Sequence, residues 1–272
     1  LILLMYQVST LQALAKGDFY GNATIEELLA NGDIGLGTFE AVDGEMIVLD
    51  GICYRAKADG TVEIATASDA TPFASVTYLN KELTFDLKNI ADMSGLLAKL
   101  DDVVKTHGEN NIYACRIDGS FHEVYVRSEM KQHSEPYKTF AKVLETDQRE
   151  FEFKNVSGSL ACVYFPQYMD GLNVAGWHVH FISDDRTMGG HVFNCSLQEG
   201  KAYIGRTEGF SFLVPKTRFF QKLTLTDVSK EEIESVEKAV GYIPKVISCR
   251  YNPGGVFKIS NDIMDNPGDA KY

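Results

Sequence analysis

The sequence predicts an α+β fold: two-domain, strand-rich, with hairpin-linked sheets and a few packing helices. Asp-Gly pairs recur at 43–44, 50–51 and 59–60 between short apolar runs. Asp-Gly tolerates the positive φ angles of tight hairpin turns, so these pairs read as strand connections. Strand-like runs outnumber helical periodicities along the 272 residues, and no sustained β-α-β alternation appears.

The first forty residues read as helical with punctuation. Thr24-Ile25-Glu26-Glu27 is a capping box, Leu28 and Leu29 give an apolar face, and Gly32 is a stop. Glu45–Leu49 and Thr61–Ile64 then form a β-meander through the Asp-Gly turns. Leu96, Leu97, Leu100, Val103 and Val104 follow the i, i+4, i+7 spacing of an amphipathic helix. Asp118-Gly119 reads as another hairpin turn, joining Asn111–Ile117 to Phe121–Arg127. A helix is expected over Tyr137–Thr146, where Phe140, Val143 and Leu144 share a face. Strands return at Phe151–Val156, Leu160–Phe165, Val174–Ile182, His191–Leu197 and Phe210–Val214. A second capping box, Ser229-Lys230-Glu231-Glu232, opens a helix carrying Ile233, Val236 and Val240. The expected division is a mixed-sheet domain with helices (1–148), a β-rich metal-binding domain (149–227), and a C-terminal helix with a turn-rich tail (228–272).

Composition narrows the function. A formal net charge of −12 without a local Lys/Arg block repels a phosphate backbone and argues against nucleic-acid binding. Cys53, Cys115, Cys162, Cys195 and Cys249 are odd in number, widely spaced and without Cys-x-x-Cys, which points to free thiols in a reducing compartment. The apolar start, Leu1–Met5, is too short for a membrane span or a signal core. The cytoplasm is the expected location. A secreted form stays open, because the sequence begins without Met.

Three of the six histidines, His178, His180 and His191, fall within fourteen residues. Side chains two apart on a strand share a face, so His178 and His180 aim at one point and Val179 faces away. Ser183–Gly190 has a loop composition, and a strand returning from it would bring His191 within about 5 Å. Three imidazoles without a thiolate match a catalytic zinc site that keeps one coordination position open. Two other readings stand beside it. The three could be ordinary hairpin histidines, or the ligands of a cupin, in which Asp184 or Asp185 would have to replace the usual glutamate. His107, His122 and His133 show no comparable spacing and read as ordinary residues.

Further segments carry a resemblance. They are Tyr6-Gln7-Val8-Ser9-Thr10, Gly35-Leu36-Gly37-Thr38-Phe39, Asp43-Gly44-Glu45-Met46, Arg127 with Pro136-Tyr137, and Phe151-Glu152-Phe153. Gly176–Phe181 and Gly189-Gly190-His191-Val192 are the most specific. Together, over about residues 6–240, the sequence resembles bacterial α-acetolactate decarboxylase. The resemblance implies a two-domain α/β enzyme, usually a homodimer, that converts 2-acetolactate to acetoin and CO₂. It implies Zn²⁺ on His178, His180 and His191, with Glu45, Glu237 and Arg127 as active-site groups and Thr38 near the substrate.

Read without the resemblance, Glu45 is a solvated turn carboxylate, and Arg127 ends a strand where Glu123 and Tyr125 could pair with it at the surface. Glu237 falls in the apolar arc of its helix, where an acid is costly unless paired or coordinated. The implied chemistry needs all three. Loss of CO₂ from a β-keto acid leaves an enolate, stabilised by zinc as a Lewis acid and then protonated on one face. Glu45 or Glu237 would donate that proton. The expected division gives the proton work to Glu45 with Arg127, while Glu237 closes the site. A cupin-like metal-dependent oxygenase and a non-catalytic small-molecule or metal-binding module are the alternatives.

Overall fold

The computed structural model describes residues 2–229 and Glu232. The N-terminal part comprises β1 (Leu4–Val8), α1 (Leu11–Ala15), β2 (Ala23–Thr24), α2 (Ile25–Leu29), β3 (Ile34–Thr38), β4 (Glu45–Leu49) and β5 (Ile52–Ala56). There follow β6 (Val62–Ile64), β7 (Ala70–Thr71), β8 (Ala74–Thr77), β9 (Leu83–Ile90) and α3 (Met93–His107). The remainder is β10 (Tyr113–Glu129), α4 (Phe140–Asp147), β11 (Gln148–Phe165), β12 (Gly176–Ser183), β13 (Gly189–Arg206) and β14 (Gly209–Leu213). The α+β class predicted from sequence is the one observed.

The predicted meander forms as β4, β5 and β6, paired antiparallel in sequence order. It belongs to a seven-stranded sheet of order β14-β1-β8-β3-β4-β5-β6. β14 returns from the far end of the chain to pair parallel with β1, Leu4 opposite Gly209. The second sheet runs β10-β11-β12-β13-β9, and β10 also pairs with β13, so four strands close into a ring. β12 and β13 meet only from Ile182–Gly189 to His180–His191. Beyond that seam β13 pairs with β9 from Leu197 onward.

Two expectations are corrected. The first forty residues hold only two five-residue helices, and Leu4–Val8 and Ile34–Thr38 are strands inside the first sheet. The Thr24 capping box does form: its hydroxyl accepts from the Glu27 N–H at 3.2 Å, and the Glu27 carboxylate accepts from the Thr24 N–H at 2.8 Å. Secondly, Asp118-Gly119 makes no turn, and β10 runs straight through it. Gly119 lies in register with Gly158 on one side and Gly200 on the other, and a Cβ there would come 2.5 Å from the Glu199 carbonyl oxygen. That glycine serves close strand packing. Asp118 is held in place by Arg116 Nε and Ser159 Oγ, each 2.7 Å away. Along the chain, the first sheet takes its strands up to β8 and again at β14, the second takes β9 to β13, and residue 148 lies at the α4–β11 junction. Hairpin patterns reveal neighbours in sequence but not which strands share a sheet.

Packing sets the two sheets face to face. Ile34, Ile47, Leu49, Tyr54 and Ala56 of the first sheet bury against Ala114, Ala161 and Ile182 of the second. This contact brings the start of β4 to the middle of β12. On the other side of the ring, α3 buries Leu96, Leu100 and Val104 against a core that includes Val179. Asp92 caps that helix, accepting from the Gly95 N–H at 2.8 Å. The second capping box is present, with the Ser229 hydroxyl accepting from the Glu232 N–H at 3.1 Å. The helix expected beyond it, with Glu237, lies outside the described residues, as does Cys249.

Candidate metal centre

Period-two geometry puts His178 and His180 on one face of β12, with Val179 in the core behind them. The hairpin return then sets His191 directly opposite His180. His178 Nε2 lies 2.9 Å from His191 Nδ1 and 3.0 Å from His180 Nε2, and the last two atoms are 3.3 Å apart. All three residues are buried. Nitrogens bound to one tetrahedral metal at 2.0–2.1 Å stand about 3.3 Å apart, so the triangle is close to that of a filled site. These histidines are the one metal-capable cluster among the described residues, and His107, His122 and His133 are exposed elsewhere.

His180 Nδ1 lies 2.8 Å from the Met46 carbonyl oxygen. Only a ring N–H can satisfy that oxygen, so the proton sits on Nδ1 and the Nε2 lone pair faces the cluster. Burial, followed by the neighbouring His178, pulls the His180 imidazole well below its ordinary pKa. It is neutral at physiological pH, the form a metal requires.

Glu45 opens β4 immediately beside Met46 and is buried. Its Oε2 is 3.5 Å from His180 Nε2, and its Oε1 is 3.8 Å from Arg127 Nε. Arg127, opposite His191 across the β10–β13 pairing, is only 3% exposed, which removes the surface-pair reading. Tyr125 instead bonds through its hydroxyl to Glu150. The register slips between Tyr125 and Val126, so Phe193 faces no partner residue. That bulged ring lies 5.1 Å from the Arg127 guanidinium, within cation–π reach. Thr38 is opposite Glu45 in the β3–β4 pairing, and its hydroxyl donates to the Gly44 carbonyl at 2.9 Å.

Asp185 is committed to the hairpin loop. Its Oδ1 accepts from the hydroxyls of Ser183 and Thr187, at 2.7 and 2.8 Å, and these bonds hold its carboxyl below the usual range. Asp184 is exposed. Neither aspartate joins the histidine cluster, so the extra ligand that a cupin reading needs does not come from this loop.

The profile of a family described as alpha-acetolactate decarboxylase matches residues 5–227. The chain belongs to the alpha-acetolactate decarboxylase family. It is 39% identical over 234 residues to the alpha-acetolactate decarboxylase of Methanosarcina mazei, covering 86% of this chain and 80% of that one. It is 35% identical to the enzyme of that name from Lactococcus lactis subsp. lactis, covering 86% of this chain and 98% of the other. The crystal structure of alpha-acetolactate decarboxylase from Bacillus subtilis strain 168 superposes with a TM-score of 0.82 at 32% identity. That match covers 87% of this chain and all of the other.

The sequence reading missed Glu129, Gln148 and Phe193, all of which surround Arg127. A signal existed for Glu129 alone, since its spacing of two from Arg127 puts both on one strand face.

Proposed function

We propose that the protein decarboxylates 2-acetolactate to acetoin and CO₂, with Zn²⁺ on His178, His180 and His191. The reading rests on the convergence of three buried imidazole nitrogens beside Glu45 and Arg127 in a chain of this family. A bound zinc ion would supply a Lewis acid for the substrate's oxygens.

The chain's own residues do the rest. Arg127 carries a permanent positive charge in a buried pocket, where its planar fork orients the substrate carboxylate. As the bond from C2 to the carboxylate carbon breaks, its electron pair delocalises onto the ketone oxygen. The resulting enolate takes one proton at C2. Glu45, buried next to Arg127, is placed to deliver it from a fixed side, and low exposure keeps bulk water from protonating the opposite face. Thr38 contributes by holding the Gly44 carbonyl and thus the turn from which Glu45 emerges. On the family resemblance, Glu237 would be a further active-site carboxylate, and the active species would be a homodimer.

The experiment is incubation with racemic acetolactate, followed by chiral analysis of the acetoin, with and without a chelator. One enantiomer should predominate, at a rate well above spontaneous decay, and chelation should abolish both effects. His178→Ala and His191→Ala should lose zinc and turnover together. Inactive variants that keep one zinc per chain would remove the triad assignment.

A further inference from the structure

A second carboxylate lies against Arg127. Glu129 follows it by two residues on β10, and its side chain is fully buried. Its Oε1 stands 3.2 Å from Arg127 Nε, closer than the 3.8 Å of Glu45 to the same nitrogen. No other cation among the described residues comes within ion-pair distance of it, and neither of its oxygens accepts a well-formed hydrogen bond from a described residue. A carboxylate so deeply buried is expensive and persists only against a compensating charge. Arg127 is that charge.

The neighbouring strand grips the other edge of the guanidinium. Gln148, in register with Glu129 across the β10–β11 pairing, accepts from Arg127 Nη1 at 3.4 Å. Gln148 is itself anchored, donating through Nε2 to Glu150 at 2.6 Å. The Phe193 ring covers a face. The guanidinium is thus bounded at its Nε edge, at one Nη and on one side, which sets its plane as well as its position.

We propose that Glu129 is a positioning residue for Arg127: it holds the Nε edge so that the guanidinium meets Glu45 and the substrate in a fixed orientation. Glu129 touches no imidazole of the triad and has no exposed surface, so it acts through Arg127 and not on substrate. The inference rests on the role given above to Arg127.

The test is a double-mutant cycle on the metal-loaded enzyme, comparing Glu129→Ala, Arg127→Ala, the double variant and Glu129→Gln. Loss of a partner that orients a site residue commonly costs about 10–100-fold in activity, and that is the fall expected in kcat/KM for Glu129→Ala. It should appear in whichever of kcat or KM Arg127→Ala changes, with metal content unaltered. Glu129→Gln, which keeps a side-chain oxygen of the same reach beside Nε, should recover most of the loss. The double variant should be no slower than Arg127→Ala alone, since Glu129 has nothing left to position. Additive losses in the double variant, wild-type kcat/KM in Glu129→Ala, or no recovery in Glu129→Gln would each overturn the proposal. Wild-type activity in Arg127→Ala would overturn the role of Arg127 and the inference with it. Should Glu129→Ala fail to fold, Glu129→Met, of similar volume and without an acceptor oxygen, takes its place under the same criteria.

Discussion

Gly190 is the second residue of β13, just before His191, with φ at +149°, a region that L side chains rarely adopt. A Cβ at this position would stand 2.6 Å from the Arg127 carbonyl oxygen and 3.0 Å from the Val126 side chain. Backbone cannot swing aside as a flexible side chain can, so Gly190→Ala must push β13 away from β10 at the point where His191 faces Arg127. The unfavourable φ costs about 1–2 kcal/mol, and the overpacking about 1–3 kcal/mol more. Gly51→Ala provides the comparison, because φ there is +73° and nothing lies within 4 Å of the added Cβ. It incurs the conformational cost alone. The packing difference of about 1–3 kcal/mol corresponds to about 2–12 °C in Tm for a chain of this size. Thermal unfolding followed by circular dichroism measures that gap, and elemental analysis with acetoin formation reports the site. Gly190→Ala should melt lower than Gly51→Ala and lose turnover, whereas Gly51→Ala keeps both metal and activity. Equal Tm values, or wild-type turnover in Gly190→Ala, would show that the close approach of β13 to β10 is not what shapes the centre.

Two other substitutions test separate parts of the reading. Glu45→Gln removes the acidic proton while preserving shape, so acetoin formation should fall about 10²–10⁴-fold with metal content unchanged; an unimpaired rate would assign the proton to another group. Burial raises the Asp18 carboxyl to about 6, opposed by a hydrogen bond from Thr217. The native state therefore keeps this proton to higher pH than the unfolded chain, whose Asp pKa is about 3.9, and stability falls as pH rises from about 4 to about 6. The full shift would be worth about 3 kcal/mol, reduced to about 1–2 kcal/mol by partial solvation. Asp18→Asn should flatten the pH dependence of urea unfolding over that interval by this amount, and parallel profiles for the two proteins would refute it.

The triad was legible because its geometry is local. Two residues of strand spacing and one hairpin return suffice to bring three imidazoles together, and each step leaves a mark in sequence. The meander was legible for the same reason. Arg127 and Glu45 were not, since a charged residue at a strand end reads as solvated until it is known what covers it. Here the cover is remote: β4 comes from the other sheet, and Phe193 from a bulge that no periodicity announces. Asp118-Gly119 misled because glycine answers two needs, a sharp turn or a close neighbour. Only the register against Gly158 and Gly200 tells them apart. The partnership of β1 with β14 joins residues near opposite ends of the described chain, beyond the reach of any local pattern.

The ring of β10 to β13 has one short seam, three register pairs long, between β12 and β13. Two of the three imidazoles face each other across it. A rivet through both strands at that place would do for the ring what a long ladder does elsewhere. The free energy with which the strands hold an ion and the free energy with which the ring stays shut would then be a single quantity. Stripping the centre would accordingly loosen the hairpin first, and amide exchange in β12 would rise before that in β10 and β11. With an ion bound, that seam would be the part of the fold whose closure depends most on the centre.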